Sequence, residues 1–262
     1  MEVARIGLGT NRLTNTPEHV AFVKEAVAMG VNLIDTAHTY TGGASEETIG
    51  AALSPMPQGC VVATKGGYAR GHGRPEVLRS QIEASLRRLG TDSMALYYLH
   101  RVDPETPLEV SLGAIKEYRD SGRILHVGLS QVGIAQIERA REVVPIAAVQ
   151  NHYNLSERKY EDVVDYCARE RIVFVPYFPL HGRGGRALAE IAERRGATPT
   201  QLALAWLLRR SPTMLPIPGT LSLEHLAENL AALEIELSEA EFQALVYGAT
   251  RAPWRRRGPG RR

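Results

Sequence analysis

The sequence predicts a (β/α)8 barrel, and three observations carry that prediction. Eight short apolar segments alternate with longer amphipathic segments along the 262 residues. The short segments are rich in Val, Ile and Leu without polar alternation, which is typical of parallel strands covered by helices on both faces. The length also fits, because such a barrel needs about 250 residues. An open doubly wound sheet has the same alternation, but no GxGxxG motif follows the first segment, which disfavours a Rossmann fold.

The predicted strands recur about once per βα unit. They are Arg5–Gly9, Asn32–Asp35, Cys60–Lys65, Met94–His100, Ile124–Ser130, Ile146–Asn151, Ile172–Tyr177 and Met214–Ile217. Several of the intervening segments begin with capping residues, which predict helix starts. These signals are Thr106 with Glu109, Thr198 with Gln201, Ser222 before Leu223–Leu233, and Ser238 with Glu241 at a C-terminal extra helix.

Composition indicates one domain with a basic tail. Residues 1–250 are predicted to form the single barrel, and residues 251–262 hold six arginines and no acid. We expect this tail to be solvated and partly disordered; binding of a polyanion is the alternative. Without the tail the acids outnumber the bases, so the overall charge does not indicate nucleic-acid binding. No run reaches the roughly 18 apolar residues of a membrane span. With no secretory signal at the N-terminus, the sequence predicts a cytoplasmic protein.

The strand ends predict the active site, because barrel enzymes place it at the carboxyl ends of the strands. Asp35, Lys65 and His100 end the second, third and fourth strands, and Tyr40 follows the second. A phenol titrates near pH 10, and a neighbouring ammonium lowers that pKa, so we expect Lys65 to make Tyr40 a better acid. A buried lysine needs an anion, which Asp35 supplies. Taken singly, Asp35 and Lys65 are also consistent with a structural pair, and His100 with a core histidine.

The loops after the seventh and eighth strands predict a phosphate site. Their glycines allow backbone amides to approach a pyrophosphate, and the helix that begins near Ser222 presents a positive N-terminus. The two loops are 181–185 and 218–222.

The chain resembles the aldo-keto reductase family through short motifs that span nearly its whole length. The matching stretches are Asp35–Tyr40, Ala63–Gly66, Leu96–His100, Gly128–Ser130, Val149–Asn151, Tyr177–Leu180, Gln201–Trp206 and Ile217–Thr220 with Glu228-Asn229. The resemblance implies that Tyr40, Lys65, Asp35 and His100 are a catalytic tetrad. It implies reduction of an aldehyde or ketone by hydride from NADP(H), with NAD(H) as a possible substitute and no metal.

The resemblance also implies a cofactor site. Tyr177 would stack on the nicotinamide, while Ser130 and Gln150 would hold its carboxamide. Gln131 stands where the family commonly has Asn. The positions that match residues gripping the 2′-phosphate of NADP are Gly219 and His225. The further implied cofactor contacts are Gly9, Thr10, Phe178, Leu180, Gly182, Arg183, Ile217, Thr220, Ser222, Glu228 and Asn229.

Short loops predict an open substrate pocket for a bulky or extended carbonyl compound. Six residues in or beside the rim loops are expected to line it: Asn11, His38, Tyr68, Arg70, His72 and Arg101. We expect a small-molecule carbonyl substrate as the partner, and a monomer or weak oligomer. Two alternatives stay open at this point. One is a Schiff-base aldolase or isomerase with Lys65 as nucleophile, and the other is a non-catalytic barrel that senses nucleotide.

Overall fold

A computed structural model describes residues 3–181 and 185–250 of the chain, with side chains to residue 248. Within these ranges, one parallel sheet of seven strands follows the chain order. The strands are β1 (Leu8–Gly9), β2 (Leu33–Asp35), β3 (Val61–Gly66), β4 (Met94–Leu99), β5 (Ile124–Ser130), β6 (Ile146–His152) and β7 (Val173–Tyr177). Neighbours in space are therefore neighbours in sequence, as expected when each strand is followed by a crossover helix.

The prediction of an eighth strand at Met214–Ile217 is wrong, because no strand is assigned there. This part of the chain nevertheless closes the barrel. Single parallel bridges join this part of the chain to Phe174 of β7 and to Gly9 of β1. Prolines at 216 and 218 have no N–H group, so a continuous ladder cannot form there. Their carbonyls still accept, and Gly9 N donates to Pro218 O at 3.2 Å. The (β/α)8 fold class is confirmed.

Ten α-helices are assigned in the described ranges. They are α1 (Pro17–Ala28), α2 (Ala44–Leu53), α3 (Pro75–Leu89), α4 (Leu108–Asp120), α5 (Ile134–Val143), α6 (Glu161–Glu170), α7 (Gly185–Arg195), α8 (Pro199–Arg210), α9 (Leu223–Ala231) and α10 (Glu239–Thr250). Short 3-10 helices lie at Tyr40–Gly43 and Ala232–Glu234. The predicted C-terminal extra helix is α10, whose Phe242 stacks on Trp206 of α8 at a ring separation of 5.9 Å.

Three of the four capping predictions are confirmed. Thr198 and Gln201 form a reciprocal capping box at α8, and the Ser222 side chain accepts from the His225 amide at α9. At the start of α10, Ser238 and Glu241 bond reciprocally. The fourth prediction is wrong: Pro107 is the residue before α4, because the Thr106 hydroxyl donates instead to the buried carboxylate of Asp103.

The buried residues of the strands and helices form the core of the barrel. Every residue of β3 is buried, which explains why its sequence lacks polar alternation. The main apolar core lies between the sheet and the helices and contains Trp206, Tyr97 and Phe174 among its largest side chains. None of the helices in the described part of the chain is long and apolar enough to cross a membrane. The predicted tail, 251–262, lies outside the described residues.

Candidate active site

A cleft of about 600 Å³ opens at the carboxyl ends of the strands. Most of the predicted catalytic and nicotinamide residues line it. The lining includes Gly9, Thr10, Asp35, Tyr40, His100, Ser130, Gln131, Gln150, Tyr177, Phe178, Leu180, Ile217 and Gly219. Lys65 lies beneath this surface with a fully buried side chain. Residues from seven parts of the barrel rim therefore meet in one place, as the strand-end argument predicts.

A buried ion pair forms the floor of the cleft. Lys65 Nζ donates to Asp35 Oδ1 at 2.5 Å and to the Thr36 carbonyl at 2.7 Å. Gln150 Nε2 donates to the other carboxylate oxygen of Asp35 at 2.7 Å. Burial alone would lower the pKa of Lys65, but Asp35 and Tyr40 raise it above its ordinary value. The prediction that Asp35 keeps Lys65 charged is thus supported by both geometry and charge.

Tyr40 stands beside this pair on the 3-10 turn after β2. Lys65 Nζ lies 5.1 Å from the centre of the Tyr40 ring. Burial raises the pKa of Tyr40, and the charge of Lys65 opposes that rise without cancelling it. The expected net lowering of the Tyr40 pKa is therefore wrong, because the loss of solvent around the phenol outweighs the ammonium. The phenol stays protonated at neutral pH.

His100 faces Tyr40 at the end of β4. The two rings lie 6.2 Å apart in an edge-on arrangement. Burial, Lys65 and Arg101 lower the pKa of His100 to about 3, so the imidazole is neutral. Its Nδ1 is buried without a hydrogen-bond partner. A proton on Nδ1 would be a buried unsatisfied donor, so the favoured tautomer carries the proton on Nε2.

A strained loop after β5 contributes polar groups to the cleft wall. Gln131 has a φ of 59°, an uncommon backbone conformation outside glycine that often marks functional sites. Asn151 holds the loop in place, since its amide accepts from the Val132 N–H and donates to the Val132 carbonyl. Ser130 is buried at the end of β5. The sequence places Asn151 in a stretch that matches the family, but only the structure shows that it holds this loop.

Aromatic rings form one wall of the cleft. His152 stacks on Tyr177 with ring centres 5.3 Å apart and planes 10° apart. Phe178, with a φ of 51°, stacks in turn on His181 at 4.3 Å. Tyr177 therefore has one face backed by a ring, which fixes the orientation of the other face.

Two glycines and an arginine lie at the seam where the barrel closes. A Cβ on Gly9 would stand 2.8 Å from Ile217 O, and a Cβ on Gly219 would stand 3.3 Å from Gly9 O. Arg12 donates from Nη2 to the Gly219 carbonyl at 2.9 Å and lines the cleft. Sequence reasoning missed Arg12, although it directly follows two rim residues that were predicted, Thr10 and Asn11.

Apart from Gly219, the predicted phosphate and adenine contacts in the described residues do not line this cleft. Thr220 and Ser222 bond to each other, with Thr220 Oγ1 accepting from Ser222 N at 3.0 Å. His225 lies exposed in the first turn of α9, while Glu228 Oε1 accepts from the Thr198 hydroxyl and Asn229 is buried. Two further predicted contacts, Gly182 and Arg183, lie outside the described residues.

Half of the predicted substrate residues line the cleft, namely Asn11, Tyr68 and Arg101. The other half do not, because their side chains are held elsewhere. The Arg70 guanidinium pairs with Glu105 at 2.6 Å. A hydrogen bond joins His72 to Gln81 at 3.3 Å, and another joins His38 Nδ1 to Arg88 at 3.2 Å. Pro179, His181 and Pro218 complete the lining. His181 and Pro218 belong to the two predicted phosphate loops, whereas Pro179 was not predicted as a contact.

The described residues contain no group of three or more His, Cys, Asp or Glu side chains placed to hold a metal ion. Both cysteines, Cys60 and Cys167, are free thiols. The polar side chains that line the cleft are suited to acid–base chemistry and to hydrogen bonding with a bound molecule.

Comparisons with known proteins bear on the fold and on the class of enzyme. The model of the aldo/keto reductase family matches residues 5–247. An uncharacterised oxidoreductase of Schizosaccharomyces pombe is 37% identical over 94% of this chain and 86% of its own length. The pyridoxine 4-dehydrogenase of Escherichia coli is 36% identical, over 93% of this chain and 94% of its own.

A solved structure agrees as well. An aldo-keto reductase from Klebsiella pneumoniae, crystallised with NADPH, superposes with a TM-score of 0.86 at 30% identity, covering 97% of this chain and 93% of the other. The barrel, the cleft and these likenesses lead to one conclusion: the chain belongs to the aldo/keto reductase family of oxidoreductases, which act on small carbonyl compounds.

Proposed function

We propose that this protein reduces an aldehyde or ketone with NADPH and that Tyr40 is the general acid. The observation that carries the proposal is the buried Lys65–Asp35 pair beneath Tyr40 and beside His100. A general acid must hold its proton until the carbonyl oxygen gains negative charge. The raised pKa of Tyr40 keeps that proton in place at neutral pH, and the nearby ammonium stabilises the phenolate that is left.

Asp35 acts through Lys65. Without the carboxylate at 2.5 Å, the fully buried ammonium would lose its charge. Thr36 and Gln150 supply the remaining hydrogen bonds of the pair, which keeps both charged groups in a fixed geometry.

His100 acts as a neutral hydrogen-bond donor. Its pKa of about 3 excludes a charged imidazolium near neutrality. The proton on Nε2 can be donated to the substrate oxygen, which orients the carbonyl toward Tyr40. Electrostatic stabilisation of a developing oxyanion by a fixed donor is a large contribution in many enzymes.

The residues of the cleft fit a nicotinamide dinucleotide. At the seam, Gly9 and Gly219 line the cleft without side chains, so a bound molecule can approach the backbone closely. Tyr177 would stack on the nicotinamide, with its other face supported by His152. Ser130 and Gln150 would hold the carboxamide. When bound, NADPH supplies the hydride that no side chain can donate.

The preference for NADPH follows the family and the NADPH-bound neighbour. In this chain Arg12 brings a guanidinium to the seam next to the predicted phosphate loop. Thr220, Ser222 and His225 lie at the start of α9, where a helix N-terminus favours an anion. We propose that these groups take the place of the lysine and arginine that family members commonly use.

The two alternative functions fit the site less well. A Schiff-base nucleophile needs a neutral amine, whereas the pKa of Lys65 is raised and both of its hydrogen bonds go to oxygen acceptors. Trapping with borohydride should therefore leave Lys65 unmodified. The second alternative, a non-catalytic nucleotide sensor, does not explain the buried Lys65–Asp35 pair below Tyr40.

The decisive test compares wild type with Tyr40→Phe. We expect kcat for a reactive nitroaldehyde with NADPH to fall about 10²–10⁴-fold, because the phenol proton is removed and the ring is kept. NADPH affinity, measured by fluorescence titration, should change little. Tyr118→Phe is the matched control, since Tyr118 bonds Glu83 far from the cleft, and its kcat should equal that of wild type. A Tyr40→Phe enzyme within a few fold of wild type would refute the mechanism.

We also propose that residues 1–250 form one domain, that the protein is a monomer or weak oligomer, and that it is cytoplasmic. Two free cysteines are consistent with a reducing compartment. Light scattering after size exclusion would test the mass of the particle, and a stable dimer at micromolar concentration would refute the second proposal. Fractionation of cells would test the location.

A further inference from the structure

Arg101 is a cation on the cleft rim that lacks an acidic partner. No carboxylate of the described residues lies within 4.0 Å of its guanidinium, although fourteen arginine–carboxylate pairs occur elsewhere in the same ranges. Its neighbours on this rim are paired: Arg70 and Arg74 both bind Glu105, at 2.6 and 3.2 Å. Arg101 is therefore free to bind an anion from outside the chain.

The guanidinium is nevertheless held in place. Its carbon lies 4.3 Å from the centre of the Tyr68 ring, and Nη2 is 3.4 Å from the Tyr68 hydroxyl. The centre of the same ring lies 4.8 Å from that of His100. A guanidinium stacked on an aromatic face loses less conformational freedom when it binds an anion. One aromatic ring thus contacts both the cation and the group that orients the carbonyl.

The charge around Arg101 favours an anion on the substrate side of the cleft. Asp35 is the one acidic residue in the lining, and its two oxygens are taken by Lys65 and Gln150. The lining's other arginine, Arg12, lies across the cleft at the seam. The charge of Arg101 reaches the reacting groups, because it contributes to the lowered pKa of His100.

We infer that the substrate carries an anionic group, a carboxylate or a phosphate ester, about one ring width from its carbonyl, and that Arg101 binds it. The planar guanidinium matches both anions through two parallel N–H donors. This inference rests on the proposed carbonyl reduction and names the class of substrate for that same cleft. Arg101 is a specificity-determining residue in this account, with Tyr68 as the ring that positions it.

The test uses three aldehydes that share one ring: 4-carboxybenzaldehyde, 4-formylphenyl phosphate and the neutral methyl 4-formylbenzoate. In Arg101→Gln we expect kcat/KM for at least one anionic aldehyde to fall about 10- to 100-fold, mainly through KM, since a hydrogen bond to a charged group is lost. The methyl ester should be reduced within about twofold of the wild-type rate. The anionic aldehyde that loses more identifies the anion.

Two further variants sharpen the result. Arg101→Lys keeps the positive charge but loses the planar guanidinium that stacks on Tyr68 and offers paired N–H donors. Its kcat/KM for the anionic aldehydes should therefore lie between those of Arg101→Gln and wild type. Arg74→Gln removes an equal charge from outside the cleft and should leave the ratio of anionic to neutral turnover unchanged. The wild-type preference for the anionic aldehyde should also weaken as salt is added.

Failure of this inference and failure of the proposed function would give different results. The inference is overturned if Arg101→Gln lowers turnover of the methyl ester as much as that of the anions, or if it lowers neither. Absence of NADPH-dependent reduction of the methyl ester by wild type would instead overturn the proposed function. Because Arg101 is exposed on the rim, its substitution should leave the thermal melting curve unchanged.

Discussion

The protonation of single residues in this barrel is set by the balance between burial and neighbouring charges. Tyr40 is the example: Lys65 is its cationic neighbour, yet burial raises the pKa of the phenol. Lys65 shows the reverse balance, because Asp35 and Tyr40 outweigh its own burial and raise its pKa. The two outcomes differ because the charge of Asp35 raises the pKa of both groups: at Lys65 it opposes the effect of burial, and at Tyr40 it adds to it.

His100 leads to a prediction about stability against acid. Its pKa is about 3 in the folded protein, compared with an ordinary value of 6.5. The folded state therefore binds fewer protons than the unfolded chain, and stability is fully present above pH 6.5 and is lost as the pH falls toward 3. Between these two pH values, His100 alone should change the free energy of unfolding by up to about 1.4 kcal/mol per pH unit.

Urea unfolding of wild type and His100→Gln at pH 6.5, 5.5 and 4.5 would measure that slope. We expect the free energy of unfolding of the variant to fall less steeply than that of wild type. His126→Gln removes an exposed histidine outside the cleft and controls for the loss of an imidazole. Parallel curves for wild type and His100→Gln would contradict the assignment.

At the scale of elements, helices α2 and α3 support the turn that carries Tyr40. Arg88 of α3 donates to the His38 carbonyl and to Glu46 Oε2, both at 3.2 Å. Glu46 is completely buried and also accepts from the Thr64 hydroxyl at 2.6 Å. A Cβ on Gly43 would lie 2.3 Å from the guanidinium carbon, so the turn packs directly against it.

Removal of Arg88 should therefore be costly. Arg88→Met leaves a buried carboxylate without its cation, and we expect unfolding in urea to show a loss of about 3–5 kcal/mol. Changing Glu46→Gln in the same chain removes the stranded charge, so the double variant should be more stable than the two single effects predict. Strict additivity would show that the pair does not act as a unit.

For the whole molecule, closure of the barrel depends on close contact between its first and last segments. Gly7 and Gly9 donate to the carbonyls of Pro216 and Pro218, at 3.0 and 3.2 Å. These bonds run from the start of the chain to residues more than 200 positions later, so the cofactor cleft is complete only when both ends are folded. The seam is also where Arg12 and Gly219 meet.

Gly9→Ala should weaken this closure. The new Cβ would stand 2.8 Å from Ile217 O, and forced overpacking of this kind costs about 1–3 kcal/mol. The melting temperature should fall by about 2–4 °C for each kcal/mol of lost stability. The affinity for NADPH should fall as well. Gly113→Ala is the control, because a Cβ there on α4 meets nothing within 4 Å and should stabilise the helix slightly. Equal melting temperatures for the two variants would contradict the seam argument.

The sequence by itself determined the fold class and the residues that meet at the cleft floor. Strand periodicity is a local property, and parallel strands bring their carboxyl ends together whatever their exact lengths. For that reason the sequence alone places Asp35, Lys65, His100 and Gln150 on one rim. The apolar run of the eighth segment predicts a regular strand, but its prolines lack the N–H groups that a continuous ladder requires.

Only the tertiary structure decided how those residues are charged and which rim side chains face the cleft. The direction of a pKa shift depends on the sum of burial and neighbouring charges, which come from several strands at once. Arg70 and Arg101 look equivalent in the sequence, but Glu105 binds the first and Tyr68 holds the second over the cleft. Side-chain partners lie far apart in the chain, so the choice between them is made only when the barrel closes.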